Sequence, residues 1–402
     1  MIVKEKNILN YTALGVFFLI WSTQAFILAG DIAKYGSLFF GIFFLVASSF
    51  KRKFLAREIK FFTICFLFLL GYLFIASIQK QDTLDRLQLS FTFINFILLC
   101  VGYSMGLKSN LIFKISNKII FIITFLSIIG SIKFIQHQTL SSIGSDFKRN
   151  NYDNFLNPIG IAYLHSLLTL FLFWLFKNTQ KRTLRYLLIL AMFLTLFVVI
   201  LTMSRGAILY LAIIFILYKF RTGLKFNLKL FFKPLISVLL FFVIIFFVVK
   251  NTPSLYAKLD HLIERFSLLF NFFTESQADL SALNRTEYYY DFFNNLNEFI
   301  FLGKYEYHPY PHNQFLEIIM RWGFFGFPLL IFSINNLFRS IKLFNKKILN
   351  QNQLLFLILP LFLFSYLQSM SSMSLEMNRT LWLGFGFMSS FVTMNSKVVR
   401  EA

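Results

Sequence analysis

Three residues far apart in the chain have types and positions suited to chemistry on a phosphate ester: Arg205, Arg285 and His312. Arg205 lies in LTMSRGAIL, between two apolar runs with almost no loop between them. An arginine at membrane depth costs about 2.5–3.5 kcal/mol on insertion scales, so it rarely lacks a function. Arginine binds phosphate through paired hydrogen bonds and stays charged, and histidine accepts a proton from a hydroxyl. Together they suit transfer from a donor with a phosphate leaving group to an alcohol.

Each of the three also has a plain structural interpretation. Arg205 can extend its side chain to the outer headgroups, and Arg285 can form a surface ion pair with Glu287. A lone histidine is more often structural than catalytic, but His312 follows Pro311 where a loop meets a helix, and proline fixes the backbone there. Five further polar residues are supporting candidates: Ser204, Asn313, Arg149, Arg321 and Arg379. Arg321 is either a third phosphate contact or the partner of Glu317.

The composition indicates which elements position these residues. Hydrophobic residues make up 57% of the 402 residues, charged residues only 14%, and phenylalanine occurs 58 times; about 25% is charged in a typical soluble domain. These values exclude a soluble globular enzyme, a disordered chain and a disulfide-stapled module. Cys65 and Cys100 both lie in apolar runs and form no disulfide framework. We expect an all-α polytopic membrane protein.

The sequence contains twelve apolar runs, and a helix needs about 20 apolar residues to cross the hydrocarbon core. Their approximate bounds are 11–30, 35–50, 60–79, 88–107, 117–136, 158–176, 184–203, 206–220, 230–249, 313–338, 353–371 and 380–396. The predicted organisation is therefore nine transmembrane helices in 1–249, a large loop in 250–312, and three more helices with a tail in 313–402. The first run lacks a small-residue cleavage site and is not expected to be a signal peptide.

The charges predict on which side each loop lies. With a cytoplasmic N-terminus, the inside segments hold 25 of the 39 basic residues and three acidic ones, a net charge of +22. The remaining residues carry a net charge of −1, so the whole excess of +21 follows the positive-inside rule and attraction to anionic lipids. We therefore predict no nucleic-acid partner, membrane lipids as partners, and both termini in the cytoplasm.

Two polar loops are expected on the outer side. The shorter, 137–157, contains Arg149 and ends at Pro158. The longer, 250–312, has 63 residues, and loops of that length are usually functional or disordered. Apolar residues at helical spacing predict an amphipathic helix over about 255–270, lying on the membrane surface or packed on the bundle. A second helix is predicted to begin with Ser281 or Asn284 as its N-cap.

Several familiar catalytic patterns are missing from the sequence. It has no His/Cys cluster with metal-ligand spacing, no paired-Asp motif for a divalent ion, no Gly-rich phosphate loop and no nucleophile elbow. The spans also contain few acidic residues, which disfavours a proton-coupled carrier. We therefore predict neither a metal nor a cofactor.

The residues above occur in motifs that resemble the bacterial O-antigen ligase and polysaccharide polymerase family, integral-membrane glycosyltransferases with one large periplasmic loop. SRGAIL at 204–209 is similar to the family's arginine between two central spans. NRTEYYYDFFNNLNEFIFLGKYEY at 284–307 is similar to its loop arginine, helix and glycine. HNQFLEIIMRWGFFGF at 312–327 is the most specific match, and NRTLWLGFGF at 378–387 is a looser one. The family's core is covered over about 184–338, and the first 180 residues match only in topology.

The resemblance implies a fold of GT-C type in the bacterial inner membrane and a periplasmic active site. The donor would be a glycan on undecaprenyl pyrophosphate, which Arg205 and Arg285 would hold while charge develops on the leaving group. His312 would deprotonate the acceptor hydroxyl, with inversion at the anomeric carbon and without a metal. Position 321 departs from the family, many of whose members carry an acidic or small residue there.

The ligase and the polymerase of this family use the same donor and differ in the acceptor. The ligase accepts on lipid A core sugars, and the polymerase accepts on another lipid-linked repeat unit. Additional outer cations, Lys148, Arg149, Arg321 and Arg379, would permit a second phosphate site for a polymerase. The His-Asn motif favours the ligase. A chain-length regulator is a further partner that the resemblance allows.

Two interpretations from other classes are a transporter of lipid-linked oligosaccharide and a non-catalytic assembly factor. A transporter needs a polar path through the membrane. Here the basic residues are concentrated in cytoplasmic loops and the candidate site lies on one side, which disfavours transport.

Overall fold

A computed structural model gives the fold over most of the apolar part of the chain. It describes residues 8–22, 30–49, 55–78, 86–107, 115–141, 158–202, 204–222, 289–290, 292–303, 313–344, 349, 352–375 and 377–394. Within these ranges all regular structure is helical, and no strand occurs. The predicted all-α class is therefore confirmed for the described residues.

The helices follow the apolar runs. In chain order they are α1 (Ile8–Trp21), α2 (Gly30–Ser49), α3 (Ala56–Ile78), α4 (Arg86–Leu107), α5 (Asn117–Ser141), α6 (Pro158–Asn178), α7 (Arg182–Leu201), α8 (Arg205–Thr222), α9 (Leu296–Ile300), α10 (Gln314–Trp322), α11 (Phe327–Leu343), α12 (Gln353–Ser369) and α13 (Arg379–Met394). A 3-10 turn, Gly323–Gly326, lies between α10 and α11.

Eleven of the twelve predicted runs coincide with these helices, and the run at 230–249 lies outside the described residues. Four described segments are long and apolar enough to cross a membrane: Asn117–Ile135, Ile159–Asn178, Arg182–Leu201 and Gln314–Leu343. Five shorter apolar helices accompany them within the same ranges. The architecture is that of a polytopic membrane protein, and the count of twelve spans stays a prediction.

The tenth run is not one straight helix, which corrects the prediction over 313–338. Gly323 has a φ of 53°, in the left-handed region, and it ends α10. Pro328 then lies in the first turn of α11, where a missing backbone N–H costs nothing because the first turn has no intrahelical acceptor. The run is apolar throughout, so hydropathy alone does not show the break.

The predicted helices of the large loop are described only in part. The amphipathic helix over 255–270 and both candidate N-caps, Ser281 and Asn284, lie outside the described residues. The end of the second helix is described as α9, and Gly303 follows it with a φ of 73°. A glycine adopts this backbone conformation without steric cost.

The interior of the bundle is formed around α6 and α12, which are buried along most of their lengths. Among the described helices, α4 and α13 pack most closely. A Cβ at Gly102 would overlap the carbonyl oxygen of Leu383, and one at Gly386 would overlap that of Leu99. Small residues at such positions let two membrane helices touch along their backbones. Large phenylalanines on α2, α3 and α5 face outward, as expected of helices surrounded by lipid.

Contacts between helix ends define what we call the motif end of the bundle. There Arg379, the first residue of α13, donates from Nη1 to the carbonyl oxygen of Ser22, just after α1, at 2.7 Å. Gly206, at the start of α8, lies beside Ser371, just after α12. The end of α1, the start of α8, the end of α12 and the start of α13 are therefore neighbours.

A second set of contacts defines the opposite end. Glu58 at the start of α3 accepts a 2.6 Å hydrogen bond from the hydroxyl of Ser104 near the end of α4. Trp174 near the end of α6 donates to the carbonyl oxygen of Gln353, the first residue of α12, at 2.9 Å. The two sets agree with the predicted alternation of the spans. Which set faces the cytoplasm remains a prediction.

Candidate functional site

Arg205 is the first residue of α8, four residues after the end of α7. Ser204 precedes it, and the Ser204 carbonyl oxygen accepts from the Ile208 N–H at 3.2 Å, which closes the first helical turn. Both side chains are half-buried. The predicted position of this arginine, between two spans with almost no loop, is therefore confirmed. The start of a helix also leaves backbone N–H groups free to face an anion.

The start of α8 lies against the loop that joins α12 to α13, which we call the 370–378 loop. A Cβ added at Gly206 would lie 3.7 Å from the hydroxyl oxygen of Ser371 in that loop. Because Gly206 directly follows Arg205, the 370–378 loop is a neighbour of the start of α8.

Asn313 caps the helix that follows the His-Asn motif. Its Oδ1 accepts hydrogen bonds from the backbone N–H of Phe315 at 2.9 Å and of Leu316 at 3.4 Å. An N-cap asparagine satisfies donors that have no intrahelical acceptor and contributes about 1 kcal/mol. The structure thus gives this supporting candidate a role that the sequence did not assign: it fixes the first turn of α10.

Gln314 fastens the start of α10 inside the bundle. Its side chain is fully buried, its Nε2 donates to the Ser333 hydroxyl at 2.9 Å, and its Oε1 accepts from the Ser369 hydroxyl. Ser333 in turn donates to the Tyr366 hydroxyl at 3.1 Å. These bonds join α10 to α11 and to the last turn of α12.

Glu317 makes the second attachment of α10, one turn further on. The carboxylate is fully buried, and its Oε2 accepts from the backbone N–H of Leu375 in the 370–378 loop at 3.0 Å. Its Oε1 lies 3.1 Å from Nη2 of Arg321. Of the two roles predicted for Arg321, the ion pair with Glu317 is the one that the structure contains.

The end of the large loop docks on the other face of α10. The N–H of Phe324 donates to the carbonyl oxygen of Phe301 at 3.3 Å, and a Cβ at Gly323 would lie 2.7 Å from the N atom of Gly303. Beside this contact Phe292, Phe299 and Met320 form an apolar cluster. The glycine after α9 and the glycine after α10 therefore let two backbones meet.

Arg379 and Asn378 are placed in the interior of the motif end. Arg379 is almost fully buried and donates to both the carbonyl and hydroxyl oxygens of Ser22, at 2.7 and 3.2 Å. Asn378 accepts from the Tyr163 hydroxyl at 2.6 Å and donates to the Ser365 carbonyl oxygen at 2.7 Å. Both residues hold helices together, and neither was expected to do so.

The structure therefore brings two predicted motifs to one element. The start of α8, which carries Ser204 and Arg205, lies beside the 370–378 loop. The first turns of α10, which Asn313 caps, are bonded to the same loop and to the helical turn before it. Arg149, Arg285 and His312 lie outside the described residues. Within the described ranges, no group of three or more His, Cys, Asp or Glu side chains has the arrangement of a metal site.

Sequence reasoning missed the hydrogen bonds that connect these elements, including the bond from Glu317 to the 370–378 loop. These bonds involve Gln314, Glu317, Tyr163, Ser365 and Asn378. One signal was available: Gln314 and Glu317 are three residues apart in an otherwise apolar run, so a helix places them on one face. A glutamine and a glutamate on a membrane helix are expected to face protein rather than lipid.

The fold and the motif end together define an α-helical membrane protein with a polar site at one end of its bundle. A comparison with protein-family models identifies a family that part of the chain resembles. Residues 190–331, about a third of the chain, match the family model described as O-antigen ligase. The match confirms the family resemblance predicted from the motifs and lies within the predicted core of about 184–338. Curated proteins and solved structures gave no match.

Proposed function

We propose that the protein is an integral-membrane glycosyltransferase that moves a glycan from undecaprenyl pyrophosphate to an acceptor hydroxyl on the periplasmic side of the inner membrane. Its proposed role is that of an O-antigen ligase, with lipid A core as the acceptor. The observation that carries the proposal is the family match over 190–331, because this region contains Arg205, Arg285 and His312. The family itself ties the chain to surface polysaccharide synthesis.

The proposed reaction forms a bond between the acceptor oxygen and the anomeric carbon and breaks the bond from that carbon to the pyrophosphate oxygen. His312 accepts the proton of the acceptor hydroxyl. Undecaprenyl pyrophosphate leaves with the electron pair of the broken bond. Arg205 and Arg285 bind it and stabilise the negative charge that grows on it. Attack from the opposite face inverts the anomeric centre.

The geometry of the motif end supports this division of roles. Arg205 begins a helix beside the 370–378 loop, and α10 is fastened to the same loop and to the preceding turn by Gln314 and Glu317. Asn313, the residue after His312, caps α10. The starts of α8 and α10 are thus held by one loop, and the proposal assigns the arginine to the first and the base to the residue before the second. Transfer between two bound substrates requires such fixed positions.

The charge arrangement supports the use of pyrophosphate as the leaving group. Guanidinium groups supply positive charge to both phosphates without a divalent ion, and pyrophosphate is already a good leaving group. Arg321 is not proposed to bind the pyrophosphate, because its guanidinium lies 3.1 Å from the Glu317 carboxylate. The proposal therefore rests on two arginines and one histidine.

The test is complementation of a host in which the gene for this protein is deleted, read on a silver-stained lipopolysaccharide gel. Wild type is expected to restore a ladder, and His312→Ala is expected to leave lipid A core without glycan while long lipid-linked polymer accumulates. His308→Ala, four residues earlier in the same loop, is the matched control and should behave as wild type. Core carrying a single repeat unit would instead assign the polymerase. A ladder with His312→Ala at normal protein levels would refute the catalytic assignment.

A further inference from the structure

Gln368, in the last turn of α12, is a buried polar side chain that has no hydrogen-bond partner among the described residues. The side chain is fully buried, and no described residue accepts from its Nε2 or donates to its Oε1. Its backbone carbonyl is occupied, since it accepts from the N–H groups of Ser371 and Ser372 at 3.2 and 2.8 Å. Burying an amide without partners opposes folding, so such a group in a native structure calls for an explanation.

The neighbouring polar side chains on α12 all have hydrogen-bond partners. Ser365 lies 3.0 Å from the Tyr163 hydroxyl, Tyr366 accepts from Ser333 at 3.1 Å, and Ser369 donates to Gln314. Gln368 alone among these four polar side chains of the last two turns has no described partner. A leucine at this position would fill similar space without the cost of desolvating an amide.

The neighbours of Gln368 place it near α6 and the start of α8. One turn before Gln368, Phe364 stacks on Tyr163 of α6 with 5.8 Å between ring centroids. One turn after it, Ser371 lies beside Gly206, next to Arg205. Residues three or four apart share one face of a helix. Gln368 therefore lies at the motif end, between α6 and the helix that begins with the proposed pyrophosphate-binding arginine.

The chemistry of a primary amide selects the kind of ligand that fits. Its NH₂ group donates two hydrogen bonds and its oxygen accepts them. A phosphate oxygen can use only the donors, whereas a sugar hydroxyl both donates and accepts. A sugar joined to the pyrophosphate lies next to the phosphate groups that Arg205 is proposed to hold. Its hydroxyls are thus the ligand groups that would use both polar atoms of Gln368.

We infer that Gln368 binds hydroxyl groups of the donor sugar that is linked to the pyrophosphate, and so determines which donor sugar is accepted. This inference rests on the proposed transferase function. A binding amide held in place by the fold before the substrate arrives loses little freedom when the sugar binds. A site built around a hydroxyl rejects a substrate that lacks it, because the protein group is then left without a partner.

The test compares Gln368→Leu with wild type and with Gln314→Leu, a second buried glutamine whose bonds to Ser333 and Ser369 are formed. Melting temperature is measured on the purified full-length proteins. Values of kcat/KM are measured with the undecaprenyl-pyrophosphate-linked glycan and with a series of donors, each lacking one hydroxyl on the pyrophosphate-linked sugar.

Wild type is expected to prefer the complete donor over at least one deoxy donor by about tenfold or more. Gln368→Leu should keep or raise the melting temperature, lower kcat/KM for the complete donor by about tenfold, and accept that deoxy donor as well as wild type does. Gln314→Leu should lower the melting temperature and retain the preference for the hydroxyl in the protein that remains folded.

Two results overturn the inference while the proposed function stands. In the first, wild type is active and Gln368→Leu matches it in kcat/KM and in preference among donors. In the second, Gln368→Leu loses melting temperature and loses activity equally on every donor, as a purely structural residue would. If wild type turns over none of the donors, the proposed function fails and the inference fails with it.

Discussion

Glu317 is a buried charged residue that attaches α10 to the 370–378 loop. Its two oxygens contact different elements: the backbone N–H of Leu375 at 3.0 Å and the Arg321 guanidinium at 3.1 Å. A buried carboxylate is costly to desolvate and is retained where its partners compensate for that cost. Here the partners belong to the 370–378 loop and to the same helix, so the carboxylate sets the position of α10 relative to the loop.

Glu317→Ala is therefore expected to lower the free energy of unfolding by about 1–3 kcal/mol, the cost of leaving a buried donor without its acceptor. Glu317→Gln keeps an oxygen that can accept from Leu375 N–H and should cost less. Thermal unfolding of the purified proteins measures both effects. Glu298→Ala is the control, because Glu298 is exposed on α9 and such substitutions usually stay within about 0.5 kcal/mol. Equal melting temperatures for Glu317→Ala and wild type would contradict the prediction.

The sequence indicated where conspicuous polar residues lie along the helices better than it indicated their hydrogen-bond partners. Arg205 was predicted to lie between two spans, and α8 begins with it. Asn313 and Arg379 were predicted as supporting residues of the site, which stays a prediction. The structure adds that Asn313 caps α10 and that Arg379 bonds to Ser22, and the sequence predicted neither contact. A motif identifies a conspicuous side chain, whereas its partner depends on which helices become neighbours, and no local pattern determines that.

The element that gives the motif end its shape is the pair formed by α9 and α10. The carbonyl oxygen of Phe301 accepts from the N–H of Phe324, and Gly303 and Gly323 meet with both φ angles positive. One face of α10 thereby contacts the end of the large loop, while Gln314 and Glu317 fasten the other face to the bundle. The end of the large loop and the helix that follows His312 are therefore in direct backbone contact.

Gly323→Ala should weaken this docking. A Cβ there would lie 2.7 Å from the carbonyl carbon and oxygen of Phe301, and the φ of 53° is itself strained for alanine by about 1–3 kcal/mol. The expected results are faster proteolysis of the large loop in the purified protein and lower transferase activity.

The matched control for this substitution is Gly71→Ala in the middle of α3. No described atom lies within 4 Å of a Cβ at Gly71, and alanine is favoured over glycine inside a helix by about 1 kcal/mol. This variant should be cleaved no faster than wild type. If Gly323→Ala resists protease as well as Gly71→Ala does, the glycine contact does not hold the loop.

Elements were predicted from the sequence more completely than the site was. Apolar runs of about span length fold as helices because a membrane leaves no other way to satisfy their backbone groups, so eleven runs coincide with helices. The break at Gly323–Gly326 was missed because it replaces no apolar residue with a polar one. The break lies where the backbone contacts Phe301 and Gly303 of the large loop. A hydropathy profile does not show a contact between residues that are separated in the sequence.

The molecule as a whole has two chemically different ends. Residues at the motif end come from α1, α8, α10, α12 and α13, and the opposite end joins α3 with α4 and α6 with α12. α12 takes part in both sets and so connects them through the centre of the bundle. The basic residues of the sequence are concentrated in the loops predicted at the opposite end, so the positive-inside rule predicts that this end faces the cytoplasm.

The orientation makes a prediction that single cysteines test in a background with Cys65→Ala and Cys100→Ala. A membrane-impermeant maleimide applied to intact cells, with the outer membrane permeabilised, should label Ser145→Cys in the 137–157 loop and Ser276→Cys in the large loop. Gln180→Cys, between α6 and α7, should be labelled only after the inner membrane is opened, because the charge distribution predicts that it lies in the cytoplasm.

Labelling of Gln180→Cys but not Ser145→Cys in intact cells would show that the topology is the reverse of the predicted one. Arg205 and α10 would then face the cytoplasm, where an undecaprenyl-linked glycan presented to the periplasm is out of reach, and the proposed transferase reaction would be excluded.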